Sequence, residues 1–508
     1  MTTLTPPRAA TVTGGRDGFL PLVHAEWTKL RTVRRWWLTL AAAVAVTVLI
    51  SLFSASSSSV QTRGGGPPAP TGPEGQQIHD SALFVHRELA GDGSVTARVT
   101  GPFGAGPEQA PEWAKAGLLM RESTEQGAPY AALMLTAEHG VRLQSEYARD
   151  MAGSDTPAGT PRWLRLTREG GTITAEESAD GQDWQQVGTV GLTEEGPVAV
   201  GMFVASPEIH SMEREFGNVS VSISSSRSTG VFDEVALDGA AQGDWVRTDI
   251  GARPDAGPGA PPAEAGEAEE SGGTFTLTGS GDIGPASGIN DLASMALTGS
   301  QLGLVLIAAL GVLFITAEYR RGIIRTTFAV SPRRGRVLAA KALVIGTVAF
   351  GAGLVASFGS FLLTLPVLRD NGHRPPVFPE ISLSDGPVLR AVIGTAAVLA
   401  LIAVLALGLG ALMRGTAAAI TTVVVVLVLP LILIGSLPLD LSRWLQQATP
   451  IAGFAVQQTV PRYGHVAGLC LPEEGCYPQG PATGLLTLAA YAAAVLAIAV
   501  WRVRRRDA

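Results

Sequence analysis

Apolar and polar residues alternate along this chain on two length scales. Six stretches of roughly 18 or more residues carry no Asp, Glu, Lys, Arg or His: 36–55 ("WWLTLAAAVAVTVLISLFSA"), 298–317, 342–368, 391–413 ("AVIGTAAVLALIAVLALGLGALM"), 416–439 and 482–501. A helix needs about 20 such residues to cross the hydrocarbon core of a bilayer, so the pattern predicts six transmembrane helices.

Between the first and second of these, the period shortens to two. "SVTARV" alternates Val95, Ala97 and Val99. Further alternating runs follow, broken by the turn signals His139-Gly140, Gly170-Gly171 and Asp180-Gly181. Short strands separated by such turns predict an all-β antiparallel sandwich over 78–250. Gly/Pro/Glu-rich segments bracket it and read as linkers, 56–77 before and 251–297 after. The strand-like "GTFTLTGSGDI" (273–283) lies inside the second linker. It either folds back to complete the sandwich or is the remnant of a second copy, and fold-back is preferred.

Charge orients the spans. The chain carries 37 basic and 44 acidic residues for a formal net charge of -7, yet 1–35, 318–341, Arg414 and 502–508 together hold 18 basic and 4 acidic ones. Positive flanks stay cytoplasmic. Both termini and 318–341 are therefore expected inside, and the acidic sandwich outside. The excess of Arg over Lys is read as genome composition, not as a nucleic-acid surface. A cleaved signal peptide is the competing reading of the first span, but its 35-residue polar leader is long and its apolar run exceeds an ordinary signal core.

Ahead of the first span, Leu20, Val23, Trp27 and Leu30 recur at helical spacing with Lys29, Arg31, Arg34 and Arg35 largely off that face. This predicts an amphipathic helix in the inner interface. In 318–341, "EYRRGIIRTTFAV" pairs Ile324 with Phe328 and Arg321 with Arg325, four apart, predicting a second short amphipathic helix that ends at Ser331-Pro332. "LSRWLQQATPIAGFAVQQTV" (441–460) is apolar but short and interrupted by Pro450, which suits a re-entrant or interfacial helix in the outside loop 440–481. Cys470 and Cys476, the only cysteines, fall in that loop. An oxidising compartment favours a disulfide between them, with two free thiols as the alternative.

Catalytic chemistry is sparse. No phosphate-binding G-x-x-x-x-G-K-[ST] loop occurs, and no His/Cys cluster has metal-ligand spacing. The sandwich lacks a spaced carboxylate pair of the kind glycoside hydrolysis needs: Glu176 and Glu177 are adjacent and point to opposite faces, and Asp180 and Asp183 sit at a turn. Trp113, Trp163 and Trp184 could stack on sugar rings, though buried aromatics are the commoner case. No ionisable group within the spans argues against ion-coupled transport. The pairs Ala349/Gly353 and Ala352/Ala356 predict close helix packing, with a subunit interface as the sharper reading.

Two resemblances add to this. "ALFVHRELAGDGSVTARV", "WAKAGLLMRES", "YAALMLTAEHGVRLQ", "WLRLTREGGTITAEESADGQDWQQVGTV" and "VGMFVAS" resemble the concanavalin A-like lectin/glucanase superfamily, in its enolase-regulation-like branch, over about 78–223. That implies a jelly-roll/β-sandwich. "HAEWTKLRTVRRWW" and "FITAEYRRGIIRTTFAVSPRRGRVLAAKAL", with six spans, resemble ABC-2 type exporter permeases. The second resemblance implies a membrane α-helical permease subunit without enzymatic activity or cofactor of its own. Partner P-loop ATPase subunits would bind ATP and Mg, and a second permease copy or paralogue would complete the pore. It implies a coupling helix bearing Glu318, Arg320, Arg321, Gly322 and Arg325, an elbow helix bearing Glu26, Lys29 and Arg31, and a bacterial cell membrane. A large insert after the first span departs from the minimal family pattern. The alternative is a membrane-anchored extracytoplasmic protein that binds or senses a glycan.

Overall fold

The computed structural model describes residues 18–59, 70–73, 77–105, 109–192, 196–215, 218–251, 265–286, 291–330, 333–375, 377–461, 463–466 and 476–505. The β-rich part comprises β1 (Ile78–Asp80), β2 (Ala82–Gly104), β3 (Lys115–Arg121), β4 (Tyr130–Thr136), β5 (Val141–Ser145), β6 (Arg149–Ala152), β7 (Arg162–Glu169), β8 (Thr172–Ser178), β9 (Gln185–Gly191), β10 (Val198–Ala205), β11 (Ile209–Glu215), β12 (Asn218–Ser224), β13 (Ser228–Ile250), β14 (Glu267–Ser271), β15 (Thr274–Gly279) and β16 (Ile283–Pro285).

The long strand β2 divides the sheet into two layers. Its first half pairs with β10, which continues through β3, β4, β5 and β6; its second half pairs with β7, which continues to β8 and β9. β13 follows the other edge of β2 along most of its length, through several register shifts. The alternation in the sequence then has a clear cause. Val95, Ala97 and Val99 are wholly buried and join Leu164, Leu166 and Ile173 of one layer to Leu118, Leu133 and Leu143 of the other. β3 and β4 are buried along their whole length because a second cluster, with Phe84, Tyr130 and Phe203, fills their other face under the small β1–β16 ladder.

β15 pairs antiparallel with β13, Ser228–Phe232 against Gly279–Phe275, and buries Leu277 in the main core. The strand expected near 273–283 thus folds back onto the sandwich. The linker expected over 251–297 needs correction, because β14, β15, β16 and a short helix, α3 (Leu292–Ala296), lie within it. β14 is an edge strand with almost every side chain exposed, so no apolar alternation marks it in the sequence.

Among the described residues, six helices are long and apolar enough to cross a membrane: α2 (Arg34–Ser57), α4 (Ser300–Arg320), α6 (Arg334–Asp370), α7 (Gly386–Met413), the run Thr416–Ser436, and α11 (Pro481–Arg505). The fifth is irregular, with α8 (Thr416–Val423), a π-helical turn at Val424–Val428, and α9 (Leu429–Leu433). Pro430 supplies no N–H there, which favours a widened turn before it. α1 (Phe19–Thr32) is separated from α2 by the extended residue Val33. α10 (Leu439–Ala448) exposes Leu441 and Trp444, and the 3-10 helix Pro450–Gln457 after it is buried throughout and packs on α7 and α11.

A Cβ on Gly353 would stand 2.9 Å from the Cα of Ala396, so the Ala349/Gly353 pair lets α6 approach α7 within the chain. At one end of the bundle Arg414 lies over the Tyr319 ring, and Arg334 donates to the carbonyl of Val503 at 3.4 Å. At the other end Asn371 donates to the carbonyl of Ala55 at 2.8 Å.

Candidate functional site

The expected elbow and coupling segments meet at the end of the bundle that carries the arginines. α1 turns Glu26 and Leu30 inward, at 3% and 0% exposure, and leaves Leu20 and Trp27 outward. This corrects the expected face. The inward stripe of α1 includes a carboxylate because a cation waits for it: Lys341 of α6, whose side chain is fully buried. Lys341 Nζ lies 2.6 Å from Glu26 Oε2 and 2.7 Å from Glu318 Oε1 of α4. Lys29, expected to point away, reaches Glu26 Oε1 at 2.8 Å and Glu318 Oε1 at 3.2 Å. The ring of Phe314 stands 4.9 Å from Lys341 Nζ.

Two carboxylates and two ammonium groups therefore close a neutral ring that ties α1, α4 and α6 together. An isolated charge at such depth would cost several kcal/mol, and pairing removes most of that cost. Burial pulls the Lys29 ammonium down, but its hydrogen bond to Glu26 and the fields of Glu26 and Glu318 hold it above its ordinary value. The spans as bounded in the sequence carry no ionisable group, but Glu318 and Lys341 each stand one residue outside such a span and within the longer helix. The helix α4 continues through Glu318, and α6 begins seven residues before Lys341.

The single amphipathic helix expected over 318–330 is two elements. Residues 318–320 finish α4, and Gly322 takes φ +71° in the turn before α5 (Ile323–Val330). That left-handed conformation costs glycine little. Arg320, Arg321 and Gly322 are exposed, as is Arg31, and none of them joins the ring. Arg325 lies on α5, and its side chain falls outside the described residues. Ile324 is 4% exposed and lines a cavity of about 10 Å³ with Ile315, Tyr319, Val337, Leu338, Lys341 and Val503. Ile324 of α5 thereby shares this small cavity with the buried lysine.

The loop before α11 has two anchors, Asp291 at the start of α3 and the sandwich beside His465. Asp291 caps α3 through the N–H groups of Ala293 (3.0 Å) and Ser294 (3.1 Å) and also accepts from Thr459 Oγ1 (2.7 Å) and the backbone N–H groups of Thr459 and Val460. His465 is 5% exposed. Burial lowers its pKa below 6.5; Asp150 opposes this, Lys115 adds to it, and the Tyr147 backbone and Asp282 oppose it. Lys115 itself is fully buried and donates to Asp282 and, at 2.7 Å, to the carbonyl of Ile283.

A histidine held neutral by the folded state binds fewer protons there than when released, so this contact is strongest above about pH 6.5 and weakens as pH falls through the lowered value. Hydrogen exchange in 147–152 and 463–466 is expected to accelerate beyond its intrinsic pH trend between about pH 7.5 and about pH 5. His465→Gln should abolish that extra change, and an unchanged pH response in the variant would refute the assignment.

Several of the aromatic and acidic residues singled out in the sandwich are engaged by neighbouring side chains. Trp113 is buried and stacks on His139 at 3.9 Å, and Arg165 lies 4.0 Å from the Trp184 ring. Glu176 pairs with Arg165 at 2.7 Å, and Glu177 with Arg162 at 3.1 Å and Ser154. Among the described residues no group of three or more His, Cys, Asp or Glu could hold a metal ion. Cys476 is disulfide-bonded, and Cys470 lies outside the described residues.

Residues 71–223 match the family described as "Protein of unknown function (DUF1349)". This leaves the six long helices unmatched, and no ABC-2 permease family matches them. No curated protein matches the chain. Among solved structures, a functionally unknown protein from Saccharomyces cerevisiae is similar at 18% identity, over 36% of this chain and 91% of that one, with a TM-score of 0.23. A scytalido-glutamic peptidase in complex with a transition state analog inhibitor is similar at 10% identity, over 39% of this chain and 98% of that one, with a TM-score of 0.25.

Proposed function

We propose that this chain is the transmembrane permease subunit of an ATP-binding cassette exporter of the ABC-2 type, in a bacterial cell membrane with both termini cytoplasmic. It would work with separate P-loop ATPase subunits and a second permease copy or paralogue. The observation that carries this reading is the buried ring of Glu26, Lys29, Glu318 and Lys341 with α5 seated beside it. A helix flanked by exposed arginines, sharing a small cavity with a buried charge that ties three further helices, is suited to receive a push from an ATPase and pass it on. Displacing Ile324 would strain the cavity under Lys341, and the ring would oblige α1, α4 and α6 to move as one body. ATP and Mg would be held by the partner, and this chain would supply only the mechanical coupling. Collection of Lys29, Arg334 and Arg414 at one end of the bundle supports the cytoplasmic assignment of that end.

The test is co-purification from gently solubilised membranes. A stoichiometric P-loop ATPase is expected with the unaltered chain and is expected to be lost with Arg321→Glu/Arg325→Glu. Absence of an ATPase after cross-linking, or its full retention by the variant, would overturn the reading or its coupling site respectively. A second reading, a membrane-anchored protein that binds or senses a glycan, is favoured by the approach of His465, in the loop before α11, to Asp150, Tyr147 and Lys115 of the sandwich. It would gain from the first of those negative results.

A further inference from the structure

Outside the charge ring, the most developed unfilled feature is an apolar groove of about 430 Å³ between α1, α2 and α6. Trp27 stands on α1, Trp37, Ala41 and Val44 on α2, and Gly351 and Val355 on α6. Its volume lies in the range of small-molecule sites, roughly 300–1,000 Å³. Thr347 brings a hydroxyl to the lining, and that hydroxyl is already donated to the carbonyl of Leu343 at 2.8 Å. Water would find little to bind in such a groove. Gly351 deepens it, since a Cβ there would meet nothing within 4 Å.

Charge distinguishes one end. Arg34 precedes Trp37, Ala41 and Val44 by three, seven and ten residues, which sets it on the same side of α2. Arg31 follows Trp27 by four residues on α1 and is exposed, as is Arg34. Neither has a carboxylate partner among the described residues. Two aromatic rings at the boundary between an apolar channel and two free guanidinium groups match an amphiphile with an anionic head.

We propose that this groove binds one anionic phospholipid, with an acyl chain along Ala41, Val44 and Gly351 and its phosphate on Arg31 and Arg34. The proposal rests on the membrane reading and is independent of transport. Free phosphate would satisfy the arginines but leave the groove empty, and a second copy of the chain would fill the groove but leave the arginines without anions.

The experiment is native mass spectrometry of the full-length chain from nanodiscs of phosphatidylglycerol mixed equally with phosphatidylcholine. One phosphatidylglycerol per chain should be retained, in preference to phosphatidylcholine by on the order of thirtyfold for two arginines. Arg31→Gln/Arg34→Gln should remove the preference while leaving a lipid bound. Gly351→Trp, which grows into open space, should remove the lipid itself. Equal retention of the two lipids by the unaltered chain, or undiminished retention by Gly351→Trp, would overturn the proposal. A Gly351→Cys variant that forms a disulfide-linked dimer in the membrane would do so in favour of a second copy. Recovery of the chain outside the membrane fraction would instead overturn the membrane reading beneath it.

Discussion

Lys341→Met is expected to destabilise the helical part by about 3–5 kcal/mol, because it leaves Glu26 and Glu318 facing each other with their shared buried cation gone. Lys29 still bridges them, but its side chain is 40% exposed and cannot occupy the vacated interior position. Detergent-solubilised protein should show a clear fall in the midpoint of thermal unfolding. The triple variant Glu26→Gln/Glu318→Gln/Lys341→Met should regain most of that loss, since neutral side chains of similar size carry no unpaired charge into the interior. If the single and triple variants unfold together, the ring is not an energetic unit. In the proposed exporter the triple variant has a second use: stable, correctly inserted protein that fails to stimulate its ATPase would identify the ring as the element that transmits motion.

Asp80→Ala should weaken the sandwich by a comparable amount, about 3–5 kcal/mol. Its carboxylate accepts from both terminal nitrogens of Arg121, at 3.2 and 2.9 Å, from the Gly127 N–H at 2.8 Å and from the Tyr147 hydroxyl at 2.7 Å. Arg121 and Asp80 are both wholly buried, so removing the acid strands a guanidinium. Asp80→Ala/Arg121→Met should be markedly more stable than Asp80→Ala alone. Tryptophan fluorescence of thermal unfolding reads the difference, and equal loss in the single and double variants would show that the pairing contributes little. The same acid, after burial, holds the Tyr147 hydroxyl well above its ordinary pKa, and it pins β1 to the turn before β4.

Legibility varied with how local the cause of each feature was. The long helices could be read from length and hydropathy because a helix in lipid satisfies its own backbone and needs no partner to do so. Strands such as the one carrying Val95, Ala97 and Val99 were readable because burial of one face writes a period of two. β14 was not, since an exposed edge strand has no buried face to announce it. The face of α1 was misjudged for a related reason. Glu26 reads as polar in sequence, and only Lys341, 315 residues away, makes its burial favourable.

Sequence by itself determined the division into a β-rich insert and six membrane-length helices, the concentration of positive charge in a few flanks, and the absence of a phosphate-binding loop. Tertiary structure alone decided that β15 returns to β13, that Gly322 splits the basic segment into two helices, and that Lys341 joins Glu26 and Glu318. The physical reason is range. Backbone hydrogen bonding and burial of a face act over a few residues, whereas an ion pair in a low-dielectric interior is favourable only when both partners arrive. Neither partner carries a local sign of the other.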